Sequence, residues 1–258
     1  MERAQGADGR ERNARAMALP LALIAAWLVV KTAPGPVRLI TMWIHESGHA
    51  VTAWMCGYAA WPGPWFTPIS GDRSPAFSIL LVGTLGWGAY RARKIERWFW
   101  VTSASAALLA VLACTMLLSP ADAQQLITFG GDAGNLVLGT ALMLTVYARG
   151  DHPIRTNQLR WGLLAIGALA FMDTFLVWNG PMSNLPLGEN DNGLSDPSVL
   201  VEGYGWTASL LVVRYQQVAN GCMAVLFVAY ASALVWPLSA LSNSRSVPVK
   251  PVNAERRA

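Results

Sequence analysis

Long apolar runs separated by short basic clusters restrict the folds open to this chain. Residues 98–118, 125–148 and 159–179 each approach the roughly 20 apolar residues that a helix needs to cross a bilayer. Residues 17–30, 38–60 and 216–238 supply three further runs. The first of these is short and follows a basic tail, so a signal-peptide core is the competing reading. No small-x-small cleavage pattern follows it directly, which favours a retained span. In lipid each segment must satisfy its own backbone groups, so these runs are expected to be helices. Composition agrees: 53% of residues are hydrophobic and 13% charged, against about 25% charged in soluble domains. Twelve Trp residues suit the membrane interface.

Charge placement implies an orientation. The net charge of +4 resides in clusters between the runs: Arg91, Arg93, Lys94 and Arg97, then Arg149, Arg155 and Arg160, then Arg245, Lys250, Arg256 and Arg257. Segment 180–205 holds Glu189, Asp191, Asp196 and Glu202 and lacks Lys and Arg. Basic loops stay on the cytoplasmic side. Six spans, with the N-terminus inside and 76–90 re-entrant, put all three basic clusters inside and the acidic loop outside. Lys31 and Arg38 then fall outside, against the rule. Seven spans, with 76–90 crossing fully, require an external N-terminus.

The expected fold is thus an all-α, polytopic transmembrane helix bundle at 17–241 in the cell membrane, with six spans, or seven if 76–90 crosses. Polar residues 1–16 and basic residues 242–258 are expected to be disordered tails. Segment 61–73, rich in Pro, Gly, Trp and Phe, is expected to be a loop or hairpin. The lipid bilayer is the expected surrounding. No basic patch interleaved with aromatics points to nucleic acid. Cys56, Cys114 and Cys222 are far apart, in or beside apolar stretches, and are read as small buried hydrophobes.

Inside the run at 38–60 stands His45-Glu46-Ser47-Gly48-His49. Residues four apart share one helix face, about a turn apart. Both imidazoles can therefore reach one Zn²⁺, and Glu46 is placed as general base toward water that the metal acidifies. Ionisable residues within a span are costly and mark function. The competing reading is a hydrogen-bonded polar cluster without metal. A catalytic zinc takes a third protein ligand and keeps one position open. His152 lies in a basic loop, and 50–55 read Ala-Val-Thr-Ala-Trp-Met, without a metzincin-spaced His. An intramembrane carboxylate is the natural third ligand, and Asp132 and Asp173 qualify. Counted from the helix ends assumed to be external, at Arg38, Gln125 and Asn179, His45 and both aspartates lie about 10 Å deep. Depth admits both.

Residues 45–57, HESGHAVTAWMCG, resemble the M50 family of membrane-embedded metallopeptidases, which includes the site-2 proteases. They are most similar to its M50B-like branch, which reads HELGHA, a few apolar residues, then Gly. Val82-Gly83-Thr84-Leu85-Gly86-Trp87-Gly88 is similar to that branch's Gly-x-x-Gly helix. Asp173 followed by Leu194-Ser195-Asp196 resembles a family segment in which an intramembrane Asp precedes Ser-Asp in the next loop. The resemblance implies zinc ligation by His45 and His49 and general-base work by Glu46. It favours Asp173 as third ligand, with Asp132 and Asp196 in reserve. It also implies that the Pro/Gly-rich segment after the HExxH helix is a re-entrant hairpin that guides substrate. The Asn-x-x-Pro…Leu-Asp-Gly motif of standard site-2 proteases and a PDZ-sized insertion are absent.

The expected activity is zinc-dependent hydrolysis of a peptide bond in or near a transmembrane helix of a membrane-protein substrate. The alternative is a non-catalytic membrane protein with a structural or metal-handling zinc site. Asp132, Asn135 and Asn220 are candidates to line a water path, with interhelical hydrogen bonding as the simpler role for the asparagines.

Overall fold

The apolar runs fold as helices in the computed structural model, which describes residues 2–148, 152–190 and 193–235. The long helices are α1 (Glu2–Thr32), α2 (Pro34–Met55), α3 (Pro75–Lys94), α4 (Trp98–Leu117), α5 (Pro120–Leu144), α7 (Leu159–Trp178) and α9 (Ala208–Val235). Short α6 (Pro153–Thr156) and α8 (Asp196–Ser198) lie in connections. Strands are confined, among the described residues, to two small antiparallel hairpins: β1 (Tyr58–Ala60) with β2 (Ile69–Arg73), and β3 (Glu189–Asn190) with β4 (Gly193–Leu194).

The chain is an all-α bundle, and among the described residues five helices are long and apolar enough to cross a membrane: Asn13–Thr32, Trp98–Leu117, Pro120–Tyr147, Leu159–Trp178 and Ala208–Val235. It is a membrane protein. Helix α2 falls outside that set because the HExxH residues and Arg38 dilute its apolar character. Helix α1 begins at Glu2, so segment 2–16 belongs to it. Segment 242–258 lies outside the described residues.

Local chemistry sets the helix starts. Ser74 Oγ accepts from Phe77 N ahead of α3, and Ser119 Oγ accepts from Asp122 N ahead of α5. Pro75 and Pro120 fill the first helical positions, where a missing N–H costs nothing.

Helices α2 and α5 run antiparallel. Cys56 packs near Ala123, His49 meets Ile127 and His45 meets Asp132. The two backbones approach through glycines: a Cβ on Gly48 would collide with Gly130 O and Gly134 Cα. Helix α7 is also antiparallel to α5, since Gly167 packs on Gly139 and Met143 while Trp178 reaches Asp132. Helices α2 and α7 therefore run in the same direction, and Arg38 and Asn179 lie toward opposite ends of the bundle. This corrects the depth comparison, which had counted both from one surface.

A buried cluster including Leu136, Met143, Leu164, Phe171 and Leu226 fills the space between α1, α5, α7 and α9. Helix α4 has only Val111 buried and packs mainly on α3. Its remaining surface suits lipid.

After α2, Gly57 takes φ +84°, the left-handed conformation in which glycine commonly ends a helix. The chain reverses into β1, and Trp54 Nε1 donates to Ala60 O at 2.9 Å. The β1–β2 connection runs back along α2 until Thr67 lies against Glu46, 2.8 Å from both its carbonyl and Oε2. Glu46 stands more than two turns before the end of α2, roughly 13 Å at the helical rise.

Candidate metal centre

Three ligating atoms from α2 and α8 converge on one point. His45 Nε2 and His49 Nε2 lie 3.1 Å apart, and Asp196 Oδ2 is 3.0 Å from each. Bonds of 2.0–2.1 Å in tetrahedral geometry give ligand–ligand edges of roughly 3.3 Å. The triangle is slightly tighter than that and forms one face of such a polyhedron. The fourth corner faces away from the three ligands.

The outer nitrogens explain why the inner ones meet. His49 Nδ1 is 2.8 Å from the Ile127 carbonyl, which only accepts, so this nitrogen carries the proton. His45 Nδ1 is 3.1 Å from Asp132 Oδ1, a carboxylate acceptor. As neutral metal ligands, two imidazoles held this way would direct bare Nε2 lone pairs at each other and at a carboxylate oxygen. Three acceptors around one point repel unless a cation lies between them. Carbonyl and carboxylate partners on the far nitrogens are the usual support of metal-bound histidines.

Each partner is itself held. Trp178 Nε1 donates to Asp132 Oδ2 at 2.8 Å, and the Trp178 ring stacks on Tyr215 with centroids 4.0 Å apart. Gly131 clears the space in front of the imidazoles. A Cβ there would stand 2.5 Å from His49 Nε2 and 2.6 Å from His45 Nε2. Glu46 is only 5% exposed and is contacted by Thr67 from the hairpin.

Asp196 reaches the centre from the connection after α7. Ser195 Oγ donates to Pro186 O at 2.6 Å and accepts from Ser198 N, capping the single turn of α8. Ser198 Oγ accepts from Gly188 N at 2.7 Å. The loop is thus knotted on itself with Asp196 projecting inward.

Of the residues expected from the sequence, His45 and His49 come together with Asp196, the aspartate held in reserve. Asp173 does not join them. Its Oδ2 accepts from Thr41 Oγ1 at 2.9 Å, one turn of α2 before His45. Asp132 supports His45 from behind. Asp173, Asp132, His45 and Asn135 line a small cavity of about 30 Å³, room for one water molecule. Asn135 is 4% exposed and its Oδ1 has no protein partner, so a water there would satisfy it. Thr67, Gly131 and Trp178 were not singled out from the sequence. The Gly130-Gly131-Asp132 run is the one local signal of a close approach.

A His-His-Asp group of this kind could hold a divalent metal ion. The chain matches no protein-family model, no curated protein and no solved structure.

Proposed function

We propose that this chain is a zinc-dependent intramembrane endopeptidase, related to the M50 membrane metallopeptidases, with His45, His49 and Asp196 as ligands and Glu46 as general base. The observation that carries the proposal is the convergence of two Nε2 atoms and one carboxylate oxygen beside a buried Glu. The same donor set also takes Fe(II). The glutamate adjoining both imidazoles favours zinc hydrolysis. When bound, zinc would polarise a scissile carbonyl and lower the pKa of a water toward neutrality.

The chain's own residues do the rest. Glu46 accepts a proton from the attacking water and returns it to the leaving amine, so water is split across the C–N bond. Asp132 and the Ile127 carbonyl keep both imidazoles in the tautomer that offers Nε2. Asn135 and Asp173 hold water beside the centre. A substrate helix must unwind locally, because its carbonyls are otherwise occupied.

The antiparallel α2/α5 pair supports seven crossings over six. An even number of crossings must separate two antiparallel spans. If α4 crosses, α3, equally long at 20 residues, crosses too. The N-terminus is then external, the three basic clusters internal, and the β1–β2 connection dips into the membrane from outside beside α2.

The test is metal analysis with activity on a transmembrane-helix peptide in vesicles. Wild type should hold one zinc per chain. Asp196→Ala should lose it, and Asp173→Ala should keep it. Glu46→Gln should keep zinc while cleavage falls about 10²–10⁴-fold. A metal-free wild type sinks the reading. Unchanged function in Glu46→Gln would favour a structural or metal-handling site instead.

A further inference from the structure

A second cavity, of about 620 Å³, opens where α4 ends and α5 and α9 begin. Its volume falls within the roughly 300–1,000 Å³ of ligand-binding clefts. Leu118, Leu126, Phe129 and Val218 provide apolar wall, and Asp122 and Arg214 provide opposite charges. It is distinct from the metal centre. Phe129 forms the partition, its ring stacked on Tyr215 at 4.3 Å, and Tyr215 in turn stacks on Trp178. Trp206 closes another side, with its indole N–H held by Gln125 Oε1 at 2.8 Å.

Arg214 is the telling residue. It sits two turns into α9, in a helix otherwise dominated by apolar side chains. Near the end of a span an Arg places its charge at the level of the lipid headgroups. Its guanidinium donates to Gln217 Oε1 at 3.2 Å, and among the described residues no carboxylate pairs with it. Asp122 lines the same cavity without bridging to it, accepting instead from Ser119 Oγ. The cavity thus offers an apolar trough, a cation near the start of α9 and an anion at the start of α5.

We propose that this cavity binds one phospholipid carrying an amino headgroup. Its phosphate sits on Arg214, where a planar guanidinium matches phosphate oxygens. Its ammonium lies toward Asp122, and an acyl chain runs along Leu126, Phe129 and Val218. A purely anionic headgroup would leave Asp122 facing negative charge. A peptide helix would bury Arg214 without a matching anion.

The experiment uses the full chain in vesicles of phosphatidylethanolamine and phosphatidylglycerol, with a trace of phosphatidylethanolamine bearing a photoreactive acyl terminus. Cross-linked peptides are read by mass spectrometry, so the result does not depend on proteolysis or on metal. Label should concentrate in 118–129 and 206–218. Arg214→Gln should reduce it there about tenfold or more, the loss expected for one charge-assisted hydrogen bond, while label on α4 stays constant. Leu126→Trp, which fills the trough and keeps both charges, should do the same, each variant retaining a wild-type melting temperature. Asp122→Asn should shift preference toward a phosphatidylglycerol probe. Even label over all lipid-facing helices, undiminished label in both filling and charge variants, or displacement by inorganic phosphate would overturn the assignment.

Discussion

Single side chains at the metal centre divide into those that offer a lone pair and those that aim it. His45, His49 and Asp196 offer; Asp132, Ile127 and Gly131 aim. Removing an aiming group should weaken metal binding without abolishing it. Asp132→Asn is expected to lower zinc affinity about 10–100-fold, the usual range for a partner behind a ligating imidazole, as read by competition with a fluorescent chelator. Equal affinity in the variant would mean that Asp132 serves the Trp178 contact alone. Gly131→Ala should be more severe, because a methyl group would stand 2.5 Å from His49 Nε2. Its zinc content should fall to near zero while the helical circular dichroism persists. Normal zinc content there would show that α5 can retreat from α2.

Among the elements, the hairpin after α2 has the clearest consequence. It is anchored at one end by Gly57 and Trp54 and hydrogen-bonds Glu46 through Thr67. Thr67→Val keeps the shape and removes the hydroxyl, leaving a buried carboxyl short of a partner at a penalty of about 1–3 kcal/mol. Amide exchange across 58–73 should quicken, and peptide cleavage should slow, with zinc content unchanged. Unaltered exchange would show that strand pairing alone holds the hairpin in place. The loop holding α8 behaves differently, because Ser195 and Ser198 tie it internally before Asp196 meets the imidazoles. Its position is built into the loop and does not wait for the metal.

At the scale of the molecule, the centre joins α2 to the loop after α7, and α5 supports both. An ion bound there stabilises the native state by mass action, by about 2.7 kcal/mol when free metal is a hundredfold above its dissociation constant. Chelation should therefore lower the melting temperature of wild type and leave Asp196→Ala unaffected. Acid should act in the same direction. Imidazoles bind metal only when neutral, so protons compete with the ion and zinc affinity should fall as the pH is lowered. A zinc affinity that does not change with pH would contradict ligation by two imidazoles.

The helical fold and the histidine pair are legible in the linear chain because both depend on short-range periodicity. Twenty apolar residues leave the backbone no option but a helix, and His45 and His49 share a face whatever surrounds them. The third ligand is not local in that sense. Asp173 is equally apolar in context and equally deep by counting, but α2 and α7 run in the same direction, which sets it beside Thr41, a turn short of the imidazoles. Asp196, in a polar loop, reads as solvated until that loop folds inward over α5. Helix direction and loop closure come from long-range packing, above all the glycine contact of α2 with α5, and the tertiary structure alone decides which carboxylate completes the cluster.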